Sequence, residues 1–258
     1  MIGAIAGDII GSVYEQYPIK TTSFPLFSRL SRFTDDTVLT IAIADAIIHN
    51  IDYAASLKAF ARRYPAAGYG MSFYHWMQSS NDEAYYSWGN GSAMRVSPVG
   101  FAFNSTEKIL AEAEKSAAVT HNHPEGIKGA QATALAIYLA RQGASKAQIG
   151  QEITDRFGYS FSRSLNQIRP TYIFDVSCQG SVPESMIAFF ESHNFEDAIR
   201  MAISLGGDTD TMGCIAGGIA QAFYRDIPAT ILMQVRQRLP QEFLAIIDEF
   251  NNKYRIEL

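Results

Sequence analysis

The sequence predicts an all-α fold, a compact orthogonal multi-helix bundle made as one domain over residues 1–258. Three observations predict it. Apolar residues recur with helical period through most of the chain, in segments opened by Thr, Ser, Asp or Asn and closed by Gly or Pro. No two runs pair convincingly as strands. Small residues recur at four-residue spacing in the most apolar segments, as expected of helices whose backbones approach closely. With 47% hydrophobic and 18% charged residues, 258 residues suffice for one large core.

The first helix opens at Ile2 and runs toward Pro18, with isoleucines at 2, 5 and 9 on one face and Gly3, Gly7 and Gly11 every fourth residue. Glycine costs about 1 kcal/mol in a helix, so three of them imply close packing rather than propensity. Asp8 lies inside this apolar run, where an unpartnered carboxylate is expensive, and is expected to accept backbone N–H groups of a neighbouring loop. Glu15, taken alone, reads as an exposed helix-end charge. Residues 19–33 read as a loop. Thr34 then caps a helix with Asp35 and Asp36 in its first turn, and the near-continuous apolar run 38–48 describes a helix buried on most sides.

Helices follow at 52–63 and 72–79, with a flexible turn at 66–70 between them. The stretch 85–98 places Tyr85, Tyr86 and Trp88 beside Gly89-Asn-Gly-Ser92, ahead of a helix starting at Met94. It is either an ordinary glycine turn or an amide-rich cradle for a nucleotide-like ligand. Helices at 106–119, 125–141 and 145–157 surround a loop holding His121 and His123, which lack the Cys or HExxH frame of a zinc site. Residues 158–171 read as irregular and 172–176 as an isolated extended piece. The rest is helical: 182–190 with Pro183 and Glu184 in its first turn, 195–205 capped by Asn194, 208–225 after Gly206-Gly207, then 228–239 and 241–254.

Charge and composition exclude several classes. Net charge is 21 − 26 = −5 and no run of four Lys/Arg occurs, so no general nucleic-acid surface is expected. Cys178 and Cys214 read as reduced core thiols. The N-terminal stretch lacks a basic region and meets Asp8 early, and no apolar run approaches the roughly 20 residues of a membrane span, so a cytoplasmic location with no membrane partner is expected.

The acidic helix starts carry the chemistry. Thr34-Asp-Asp and Asp208-Thr-Asp-Thr each serve as a cap, which stabilises a helix by about 0.5–2 kcal/mol. Yet four carboxylates exceed what two caps need, and the helices that these starts open hold no Lys or Arg before Arg225. First-turn side chains on neighbouring helices can converge on one spot. Such a cluster needs a cation, and oxygen ligands suit a hard one such as Mg²⁺ or Mn²⁺. Capping alone and a metal cleft at helix N-termini both stay open on pattern.

Taken together, Gly7-Asp8 with Gly11 and Glu15, Phe33-Thr-Asp-Asp-Thr37, Gly89-Asn-Gly-Ser-Ala-Met-Arg95, Thr120-His121 and Gly206-Gly-Asp-Thr-Asp-Thr211 resemble the ADP-ribosylglycohydrolases, in family order over nearly the whole chain. The resemblance implies an all-α fold, two divalent cations (Mg²⁺ or Mn²⁺), and cleavage of the glycosidic bond at C1″ of ADP-ribose on an ADP-ribosylated protein or small ADP-ribose conjugate. It implies Thr34, Asp35, Asp36, Asp208, Asp210 and Thr211 as metal ligands, with Asp210 bridging. Glu15, Asp35 and Asp36 are the implied catalytic acids, Glu15 as the proton-exchanging group. Gly89, Asn90, Gly91 and Ser92 would cradle the diphosphate, with His121 near the distal ribose and phosphate. The run His123-Pro-Glu125 departs from the serine-hydrolase form, so the leaving group stays open. A different two-metal nucleotide hydrolase and a non-catalytic ADP-ribose binder are the rival readings.

Overall fold

The computed structural model describes residues 1–256. Its ordered elements are helices: α1 (Ile2–Gly11), α2 (Asp35–His49), α3 (Tyr53–Arg63), α4 (Met71–Gln78), α5 (Gly91–Met94), α6 (Ser97–Ala102), α7 (Thr106–Ala118) and α8 (Pro124–Arg141) in the first half. The second half adds α9 (Lys146–Phe157), α10 (Leu165–Ile168), α11 (Cys178–Glu191), α12 (Phe195–Ile203), α13 (Thr209–Tyr224), α14 (Ala229–Arg236) and α15 (Gln241–Tyr254). Side-chain caps open many of them: Thr34, Asp52, Ser105, Ser177 and Asn194 each accept a first-turn N–H, and Ser145 with Gln148 closes a capping box. No described helix is long and apolar enough to cross a membrane.

The centre is an antiparallel pair, α1 on α13, both buried over nearly their whole length. Gly3 faces Gly217, Gly7 faces Gly213, and Gly11 faces Thr209, and a Cβ at any of these three α1 glycines would overlap the facing backbone. The four-residue glycine spacing is therefore a seam between two backbones. Helices α2, α8, α11 and α12 cover the pair.

Five local expectations need correction. The first helix stops at Gly11 rather than near Pro18; the chain then turns through 12–16, with the Gly11 carbonyl accepting the Tyr14 and Glu15 N–H groups and the Thr209 hydroxyl. No long helix starts at Met94. It ends the single turn α5, since Pro98 has no N–H to continue the ladder and the Met94 carbonyl instead accepts from Cys214 Sγ at 3.2 Å. Helix α11 begins at Cys178, four residues before the expected start, so Pro183 lies inside it. Residues 172–176 form no strand; the isolated bridge Gly89–Ser177 lies just beyond them. The stretch 158–171 also contains one helical turn, α10, held by a Ser164–Gln167 capping box.

Candidate metal centre and active site

The glycine seam sets the α13 N-terminus against the α1 C-terminus, and Asp8 brings in the third element. Its carboxylate accepts from the Thr34 N–H (3.0 Å), the Thr37 N–H (3.1 Å), the Thr34 hydroxyl (2.7 Å) and the Thr37 hydroxyl. Asp8 thus takes the expected acceptor role, and its partners are the first turn of α2. Two helix N-termini, α2 and α13, meet at the end of α1, where partial positive charge favours carboxylates.

Glu15, Asp208 and Asp210 each offer a ligand oxygen within 4.8 Å of the others. The Thr211 hydroxyl donates to Asp36 Oδ2 at 3.3 Å, which ties the α2 set to the α13 set. Asp36 Oδ1 is buried with no partner. Asp35 is partly exposed, and its backbone N–H bonds the Ala67 carbonyl at 2.9 Å. Gly68, at φ +108°, passes beside the Asp35 carboxylate, so the turn read as flexible backs that residue.

Electrostatics agree across the cluster. Burial, then the charge of Asp8, pushes the Asp35 carboxyl up to about 8. Asp36 and Asp210 are raised well above the usual range by burial and by neighbouring carboxylates, and Asp208 is raised by burial against hydrogen bonds from Asn90 and Thr211. Glu15 is raised by burial, then by Asp208 and Asp8, with Arg32 opposing. Burial lifts Asp8 to about 6 despite its four donors. Among the described residues, no Lys or Arg forms a salt bridge with any of the six. An all-oxygen donor set with an orphaned buried oxygen and no internal counter-charge fits a hard divalent cation.

The Gly89–Ser92 loop adjoins this cluster. Asn90 is buried, and its amide donates to Asp208 Oδ2 at 2.8 Å and Ser181 Oγ at 3.2 Å. Its side chain thus holds a carboxylate of the cluster. The Ser92 hydroxyl donates to the Gly126 carbonyl at 2.7 Å, and the residue is fully buried. His121 packs on the loop, where a Cβ at Gly91 would stand 3.0 Å from its Nε2.

The ring state of His121 follows from its neighbours. Fully buried Arg95 donates to the Thr120 hydroxyl (2.8 Å), whose oxygen also lies 2.8 Å from His121 Nδ1. Burial, then the Arg95 charge, holds His121 well below its usual value. His121 is therefore a neutral ring whose Nε2 faces the loop. Trp88 and Phe174 are exposed on the two segments that the Gly89–Ser177 bridge joins.

The sequence model of the ADP-ribosylglycohydrolase family matches residues 1–256. Among curated proteins, the chain is 28% identical to ADP-ribosylhydrolase ARH3 of Xenopus tropicalis, over 87% of this chain and 85% of that one. It is 25% identical to ADP-ribosylarginine hydrolase Tri1 of Pseudomonas putida, over 87% of this chain and 69% of that one. A solved structure titled ADP-ribosylglycohydrolase-related protein complex superposes with TM-score 0.77 at 23% identity, covering 100% of this chain and 96% of the other, and establishes the shared fold.

Proposed function

Because the chain belongs to the ADP-ribosylglycohydrolase family, we propose that it hydrolyses the glycosidic bond at C1″ of ADP-ribose, releasing ADP-ribose from a modified protein side chain or a small conjugate. The observation that carries this reading is the convergence of Glu15, Asp208 and Asp210 within 4.8 Å, beside Asp36 and without a basic partner. Thr34, Asp35, Asp36, Asp208, Asp210 and Thr211 would hold two divalent cations, Mg²⁺ or Mn²⁺. When bound, such a pair supplies positive charge that orients ribose hydroxyls and lowers the pKa of a nearby water.

The chain's own groups do the rest. Glu15 sits at the edge of the cluster with its carboxyl raised, suited to take a proton from the attacking water and return it to the leaving group. Asn90 fixes the rotamer of Asp208. The amide of partly exposed Gly91 faces no backbone acceptor within its own helical turn and suits a diphosphate oxygen. The neutral His121 ring brings Nε2 beside it, and the exposed Trp88 and Phe174 rings suit the adenine. The aspartates act as ligands only when ionised, so the cation and the proton compete for one cluster.

The test is a panel of arginine-linked, serine-linked and small-molecule ADP-ribose conjugates, each with Mg²⁺, Mn²⁺ or EDTA. Release of intact ADP-ribose that stops with EDTA supports the reading. Release of AMP would assign phosphoanhydride cleavage instead, and binding without turnover would assign a non-catalytic ADP-ribose module.

A further inference from the structure

At the end of α13 remote from the acidic cleft, a cavity of about 320 Å³ lies between the C-terminal ends of α8, α13 and α15. Phe101, Arg141, Gln221, Arg225, Tyr254 and Arg255 line it. Helix α13 has 16 residues, so at 1.5 Å per residue its two ends stand about 24 Å apart. A second hollow of about 270 Å³ shares four of these residues and adds Lys253. No carboxylate lines either space among the described residues.

The bland account is that cations here offset helix dipoles. Three C-termini carry roughly half a negative charge each, about −1.5 in all, against three full positive charges from the arginines. Among the described residues the positive excess remains. Nor are the arginines internally consumed: Arg225 makes one bond, to the Arg141 carbonyl, and Arg255 has no ion pair or side-chain hydrogen bond among the described residues. Arg141 is held on the Gly100 and Phe103 carbonyls and the Asn104 amide oxygen, which fixes its position without neutralising it.

Gln221 supplies an independent observation. It is 3% exposed, its Oε1 accepts the Gly3 N–H at 2.8 Å, and its Nε2 is buried with no partner. An orphaned amide donor on the wall of an arginine-lined cavity calls for an acceptor. We propose that this cavity is a second binding site, separate from the acidic cleft, for a small molecule bearing a phosphate group. Planar guanidinium forks match phosphate oxygens, Gln221 Nε2 adds a neutral donor, and Phe101 and Tyr254 give the organic part an apolar wall. The volume lies at the lower end of the range of roughly 300–1,000 Å³ found for small-molecule sites.

The experiment is a thermal-melt titration of the full chain with inorganic phosphate against chloride at matched ionic strength, with EDTA present so that no divalent ion recruits phosphate to the cleft. Wild type and Asp210→Asn should both show saturable stabilisation, because the site is remote from Asp210. The double variant R225Q/R255Q should bind about tenfold or more weakly, having lost two charge-assisted donors. Its cooperative melt in chloride alone reports that it is folded. No saturable effect in wild type, unchanged affinity in R225Q/R255Q, or loss of the effect in Asp210→Asn would each overturn the proposal.

Discussion

Two buried carboxylate groups in this molecule are treated in opposite ways. On α7, Glu112 is 8% exposed and receives Lys108 at 3.0 Å, Lys115 at 2.8 Å and the Tyr53 hydroxyl at 2.9 Å. Burial raises its carboxyl, but those three donors more than offset it and hold it below the usual value. In the cleft, Asp36, Asp208 and Asp210 are equally buried, and their carboxyls rise. The fold can place lysines on a carboxylate where the carboxylate serves structure. Where it leaves a cluster without them, the missing positive charge has to come from a ligand, or the acids hold protons.

The largest effect should come from Asp210→Asn, which removes one charge and keeps the shape. Without divalent ions this variant should melt higher than wild type, because like-charge repulsion is relieved. It should also lose the stabilisation that Mg²⁺ or Mn²⁺ gives wild type, and its ADP-ribose release should fall to background. Melts with and without EDTA, read beside product release, check both halves. Retained activity would remove Asp210 from the proposed centre.

Asn90→Ala sharpens the comparison from outside the acids. It deletes the one amide bonded to Asp208 Oδ2. Outer partners of this kind change metal affinity about 10–100-fold, so the divalent concentration for half-maximal activity should rise by that factor while turnover at saturation changes less. An unchanged metal requirement would make the Asn90–Asp208 bond merely structural.

Next comes pH. Asp8 at about 6 and Asp35 at about 8 are both raised, so between the unfolded value of 3.8 and these values the folded state holds protons that the unfolded state has released. Their stabilising contribution is complete below pH 3.8 and is lost as pH rises through 6 and 8. His121, held neutral, acts in the opposite direction, its contribution growing as pH rises toward 6.5, but it is one group against several acids. In EDTA the melting temperature should fall by on the order of 5 °C between pH 6 and pH 8. Saturating divalent cation should flatten that slope, since cation and proton compete. A melting temperature that climbs across the interval in EDTA would contradict the raised values.

These contrasts were unevenly legible in the sequence. The starts of α2 and α13 could be read because the Thr or Asp at the N-cap position, the first-turn acids and the apolar run behind them are all local, although only Thr34 makes a side-chain cap and Asp208 makes none. The glycine spacing of α1 announced close packing but not its partner, for the facing Gly213 and Gly217 lie two hundred residues away. Pairings such as Asp8 with Thr34 and Thr37, or Asn90 with Asp208, depend on how whole helices dock and leave no local trace. The direction of the Ser92 hydroxyl follows from the break at Pro98 and the neighbouring Gly126 carbonyl, so its burial could not be read either.

The smallest effect belongs to the neutralised carboxylate. Glu112→Gln removes two ion pairs whose lysines are 52% and 62% exposed, so solvent screens most of their energy. The loss should be about 1 kcal/mol at neutral pH. Because the Glu112 carboxyl is lowered, its contribution exists above the unfolded value of 4.5 and disappears as pH falls through the folded one. The melting curves of wild type and variant should therefore converge in acid, the reverse of the cleft's behaviour, and the difference should be the same with Mg²⁺ as with EDTA. If Glu112→Gln altered the divalent response, the separation between structural and ligand-neutralised carboxylates would fail.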